Sequence, residues 1–176
     1  MRYLIDGYNV IHALPALKTI ASTDIESARD ALIEQAAILL NPDTQVVIVF
    51  DGQGTTTDTA PALPGVDGLL TVYTAQNLSA DTWIERAVYR TKKRHLCTVI
   101  SADGGIRDLC RGMGARVVSP DWMENEIGRS RMGGAESRRP GTQGMSAREL
   151  GDRLNADAHD RLSALRKKLG DEDGSR

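Results

Sequence analysis

Cysteine is scarce: the 176 residues hold two, Cys97 and Cys110, with neither the spacing of a zinc site nor the density of a disulfide scaffold. Cys97 falls in an apolar run and Cys110 on an apolar helical stripe, so both are expected to be buried thiols in a reducing compartment. No apolar run approaches membrane-spanning length, and the opening MRYLID reads as a strand rather than a secretion signal. The expected location is cytoplasmic, with no membrane partner. The chain also lacks a GxGxxG, a P-loop and a DxD after its first strand, which weakens a phosphohydrolase reading on a Rossmann-like sheet. Charge of one sign is not in excess either, since the formal net charge is −2.

That balance conceals an asymmetry. Residues 1–128 carry 11 Lys/Arg against 16 Asp/Glu, whereas residues 129–176 carry 11 against 8. An acidic body with a basic tail suits carboxylates that hold a cation beside a tail that meets phosphate, although a solvated tail is often charged for no other reason. With 40% apolar and 26% charged residues, the length fits one domain and an appendage.

Strand-like and helix-like segments alternate along the body. Apolar runs at 3–5, 46–50, 70–73, 97–100 and 116–118 read as strands. Thr23 with Glu26 forms a capping box for a helix ended by Asn41-Pro42, and Ser79 can cap a second helix. A third helix is expected from Gly104 to Met113, with Ile106, Leu109, Cys110 and Met113 inward and Gly114 as its stop. Such alternation implies an α/β fold with a mainly parallel sheet covered on both faces, a three-layer sandwich. Residues 52–68, rich in Gly, Thr and Pro, read as a long loop that is mobile until its ligand binds; the competing expectation is that Leu63 and Val66 pin it to the core. The division that follows is a body over 1–128, a basic linker over 129–145, and a tail over 146–176 whose amphipathic helix opens at a Ser146/Glu149 capping box.

The chemistry resides in the acids. Asp6 and Asp51 directly follow the first two strands, Asp103 closes the strand that begins at Cys97, and Asp81 lies in the first turn of the helix capped by Ser79. In an open parallel sheet, ligands bind at the carboxyl ends of the strands, so four acids from four segments are expected at one edge. Their mutual repulsion calls for a cation, and all-oxygen ligands suit Mg²⁺ or Mn²⁺. Taken singly, each has a plainer explanation as a turn former or helix cap; Asp51-Gly52 is the weakest member, and Asp81 is also a first-turn acid favoured by the helix dipole. Glu85, one turn below Asp81, is either a support for the site or a solvated charge. Asn9 can orient a water or a phosphate oxygen, or close an Asx turn, and Tyr8 can stack a base or simply pack. The run Lys92-Lys93-Arg94-His95 lies where a helix C-terminus favours cations.

These stretches together resemble the NYN (YacP-like) family, a branch of the PIN-like nucleases. The resemblance rests on YLIDGYNVIHA, VVIVFDG, TVYTAQNLSADTWIERAV and VISADGGIRDLCRGMGARVVSP, in that order over about residues 1–128. It implies metal-dependent RNA cleavage, with Asp6, Asp81 and Asp103 as the acidic positions and Asn9 as the motif asparagine. Some members look like ribosome-associated endoribonucleases that cut messenger RNA, which makes mRNA and the ribosome expected partners. Wider relatives sometimes carry paired aspartates where this chain has Ala80-Asp81, a departure that bears on the number of metals.

Two functions from different classes follow. The first is an endoribonuclease using Asp6, Asp81 and Asp103, with Asp51 nearby, on Mg²⁺ or Mn²⁺; Arg129, Arg131, Arg138 and Arg139 would track the RNA backbone. The second is a non-catalytic RNA- or ribosome-binding module on the same fold. Clustered negative charge argues against the second, because a pure phosphate binder gains nothing from it.

Overall fold

The computed structural model describes residues 1–133, with side chains through Arg129. The five apolar runs become strands β1 (Arg2–Asp6), β2 (Gln45–Phe50), β4 (Leu69–Tyr73), β5 (Cys97–Ile100) and β6 (Arg116–Val118). A further strand, β3 (Asp58–Pro61), lies inside the segment expected to be a loop. The sheet order is β3-β4-β2-β1-β5-β6, parallel throughout except for the antiparallel β3–β4 pair at one edge. β3 has little apolar character to announce it and ends on Pro61, which an edge strand tolerates because a ladder bond is missing there anyway. Leu63 and Val66 pack against the core, the contact on which the competing expectation rests.

Between β1 and β2 run three helices, α1 (Gly7–Ala13), α2 (Pro15–Ala21) and α3 (Ile25–Ala36). The first two replace the loop expected after Asp6. Their signal is Val10, Ile11, Leu14 and Leu17, all fully buried and spaced for one face of a helical segment. The cap of α3 is Asp24 rather than Thr23, because a carboxylate can take the N–H groups of both Glu26 and Ser27. After β4 come α4 (Ala80–Arg90), capped by Ser79 as expected, and α5 (Gly104–Gly112), which stops at Gly114 with φ of 92°. One inward assignment on α5 fails: Leu109 is 47% exposed, while Ile106 and Cys110 are buried. Finally, α6 (Pro120–Gly133) carries helix five residues into the segment read as linker; the rest of that linker and the tail helix lie outside the described residues.

Side chains alternate across the sheet and separate two cores. Tyr3, Ile5, Val46, Ile48 and Phe50 face α1–α3 and α6, whereas Leu4, Val47, Val49 and Val99 face α4 and α5. Both cysteines are free and buried, and burial pushes the Cys110 thiol up to about 11, with the charges of Glu85 and Asp81 adding to the effect. No helix among the described residues is long and apolar enough to cross a membrane.

Candidate active site

The chain leaves β1 toward β2 on one side and later returns to place β5 on the other, so the β1 and β5 ends flank the point where the topology reverses. In open α/β sheets of this kind ligands bind outside the carboxyl ends of the strands at that point. By parity with Leu4, Asp6 points to the α4–α5 side, and by parity with Val47 and Val49 so does Asp51. The first turn of α4 brings Asp81 to the same place.

Asp6 is 5% exposed. One of its oxygens accepts from the backbone N–H of Asn9 at 3.3 Å, capping α1, and the other accepts from the Ser101 hydroxyl at 3.3 Å. The Asp6 and Asp81 carboxyls are near enough for each to shift the other's proton affinity. Desolvation, followed by the Asp81 charge, pushes Asp6 up to about 7, against the opposing bonds from Asn9 and Ser101. Asp81 is raised too, first by desolvation and then by the charges of Asp103 and Asp51. Asp51 accepts from the Ala80 N–H at 2.7 Å, and Asp103 accepts from Ile106 N–H at 3.0 Å. The plain capping role and the cluster are therefore both present. Asp6, Asp51 and Asp103 hold helix starts, and Asp81 alone caps nothing.

Asn9 joins the segments that follow β1 and β5. Its side-chain oxygen accepts from Ala102 N–H at 2.6 Å, and among the described residues no acceptor takes its amide protons. Glu85 is half-buried one turn along α4 and faces Cys110 of α5. Tyr8 sits apart from the acids, edge-on to Phe50 at 5.2 Å with its hydroxyl engaged by Arg29, so packing is its observed role. Arg129 is exposed and paired with Glu126 at 2.8 Å. Arg131 lies on α6 with its side chain outside the description, and Arg138 and Arg139 are beyond the described residues. Ser101, which is fully buried, went unread in the sequence: it donates to Asp6 and accepts from Asp103 N–H at 3.1 Å, linking two acids. Its only signal is a small hydroxyl between an apolar strand and Asp103.

Among the described residues, no three His, Cys, Asp or Glu side chains are gathered closely enough to hold an ion as they stand. The donor chemistry, carboxylate oxygens with a hydroxyl beside them, fits a hard divalent cation. A concavity of about 390 Å³ between Leu40, Thr44 and Gly68 lies at the amino ends of β2 and β4, away from the acids.

The Asp6 environment predicts a pH dependence. A carboxyl whose folded pKa, about 7, exceeds its unfolded value of 3.8 favours the fold most below pH 4, and that contribution is lost as pH rises to 7. In metal-free protein, urea midpoints are expected to fall between pH 4 and 7, with a slope of up to about 1.4 kcal/mol per pH unit for the one proton. Asp6→Asn should flatten that slope, and an equal slope in both proteins would remove Asp6 as its source.

A parallel α/β sheet with acids collected at its carboxyl edge is the architecture of the PIN-like nuclease fold. The family model described as "YacP-like NYN domain" matches residues 3–167, and the chain belongs to that family. It is 33% identical over 90 residues to the uncharacterized protein YacP of Bacillus subtilis (strain 168), a match covering 47% of this chain and 48% of that relative. The crystal structure of Rae1 (YacP) from Bacillus subtilis aligns over 100% of this chain and 99% of that one, with a TM-score of 0.63 at 24% identity. A single-residue variant of the same protein aligns over 78% and 86% respectively, with a TM-score of 0.58 at 25% identity.

Proposed function

We propose that this protein is a metal-dependent endoribonuclease that hydrolyses RNA phosphodiester bonds, with messenger RNA at the ribosome as the substrate class suggested by the resemblance. The observation that supports it most is the Asp6–Asp81 pair at the sheet's reversal point, flanked by Asp103 and Asp51. Asp6, Asp81 and Asp103 would hold Mg²⁺ or Mn²⁺, and Asp51 would add negative charge beside them. A divalent cation there, when bound, lowers the pKa of water and offsets charge on the phosphodiester. The chain's own groups do the positioning. Ser101 and the Asn9 N–H fix the Asp6 carboxylate, and the free amide protons of Asn9 can hold a phosphate oxygen or a water. Asp81, with no helix end to cap, is free to turn toward a ligand.

The binding-module reading draws on one observation, that three of the four acids already have structural work as caps. The two readings separate in one experiment. Purified protein is incubated with structured and single-stranded RNAs, with and without Mn²⁺, and the products are resolved on denaturing gels. Internal cuts that need the metal are expected. RNA that is bound but never cut at any Mn²⁺ concentration would favour the module.

A further inference from the structure

On the other face of the same edge lies a cluster to which the proposed chemistry assigns no role. Phe50, the last residue of β2, stacks on Tyr73, the last of β4, at 5.4 Å, and Tyr8 meets Phe50 edge-on. Over this platform lies Arg29 of α3, its guanidinium carbon 5.5 Å, 6.0 Å and 5.9 Å from the Tyr8, Phe50 and Tyr73 ring centres. The negative faces of the rings attract the cation and limit its freedom.

The hydrogen bonding is unbalanced. Arg29 donates through Nε and Nη2 to the Tyr8 hydroxyl oxygen, at 3.1 Å and 2.7 Å. Two donors on one phenol oxygen turn its own proton outward, and among the described residues no acceptor takes it. A guanidinium has five N–H donors, so three remain on Arg29. Arg29 also makes no ion pair among the described residues. Of the acids on this helix end whose charges reach it, Glu26 makes no direct ion pair with it and Asp24 is occupied by Ser27 and the N–H of Glu26. The result is a half-buried, donor-only, positively charged group fixed at the edge where the acids gather.

Position relates it to the acids. Tyr8 is two residues beyond Asp6, and Phe50 immediately precedes Asp51, with the alternation of the strands sending acids and rings to opposite faces. A chain of phosphates crossing the sheet edge would meet the carboxylates on one side and Arg29 on the other. We propose that Arg29 and the Tyr8 hydroxyl form a subsite for a non-scissile phosphate of the RNA strand, fixing its register over the carboxylates. This rests on the RNA-cleaving reading; Arg29 is a binding residue here, remote from the reacting atoms.

The test uses two backgrounds. In full-length protein carrying Asp81→Asn, binding of a fluorescent single-stranded RNA is measured by anisotropy across a salt series. Adding Arg29→Gln is expected to weaken binding on the order of tenfold, and to reduce the slope of log affinity against log salt by about 0.7, one phosphate contact on a single strand. Tyr8→Phe keeps the ring platform and should give a smaller loss with the salt slope retained. In the otherwise wild-type enzyme, the Arg29→Gln loss should appear in KM rather than kcat, and Arg29→Lys should restore the salt slope. Melting curves of every variant guard against a folding defect, and Tyr8→Phe remains informative if Arg29→Gln fails to fold. Cleavage by wild type, together with Arg29→Gln affinity and salt slope equal to the parent, overturns the subsite and leaves the nuclease reading standing. Arg29-dependent binding without cleavage by wild type supports the subsite and overturns the nuclease reading.

Discussion

Asp81→Asn should lower RNA cleavage on the order of 10²–10³-fold or more while leaving the fold intact or slightly more stable. The asymmetry comes from its surroundings. Asp81 makes no capping bond, so its loss frees no helix end, whereas Asp6, Asp51 and Asp103 each hold one. Its charge raises the proton affinity of Asp6, and Asp103 and Asp51 do the same to Asp81, so neutralising it relieves repulsion in the metal-free protein. Removing a carboxylate from a cation site instead costs the charge on which the reaction depends. Cleavage assays at rising Mn²⁺, paired with thermal melts, check both halves. Wild-type turnover at saturating Mn²⁺ would take Asp81 out of the site. A marked drop in melting temperature with retained activity would make it structural.

Gly7→Ala should cost about 1–3 kcal/mol of stability, roughly 3–10 °C in melting temperature, and should impair RNA cleavage with it. A Cβ at Gly7 would run into the Phe50 ring, against Cε1 and its neighbours. Phe50 cannot retreat easily, because it is fully buried, stacked on Tyr73 and met edge-on by Tyr8. Backbone at Gly7 must then shift, and that residue lies between Asp6 on the acid side and Tyr8 on the aromatic side. Helix propensity would favour alanine over glycine by up to about 1 kcal/mol, too little to offset the clash. Combining Gly7→Ala with Phe50→Leu should recover part of the loss, because a smaller side chain makes room. A single variant that melts with wild type would show that the ring yields at no cost.

How much was legible beforehand follows from the range of each interaction. The β-branched run of β2 and the helical stripe of α4 are local patterns, repeated within a few residues, and five strands, the Ser79 cap and the Gly114 stop could be read from them. The motif DGYN with ADxxIER carried the family, because spacing along a chain is itself a sequence property. β3 could not be read, since its pairing with β4 is what makes Asp58–Pro61 a strand, and polar residues at an exposed edge leave no apolar period. α1 and α2 were readable from Val10, Ile11, Leu14 and Leu17, but the turn-like DGYN obscured them.

The sequence by itself determined most of the elements, the α/β class, the family and the four aspartates at strand and helix ends, because each depends on residues near in the chain. Only the tertiary structure decided which of these meet. Ser101 reaches Asp6 across 95 residues, Asn9 reaches Ala102 across 93, and Asp51 caps a helix 29 residues on. It also decided that Arg29, an unremarkable helix residue by sequence, would lie over three rings from three other elements. Such contacts are fixed by strand order and by the face each side chain takes on the sheet, and those are set when the whole core is buried at once.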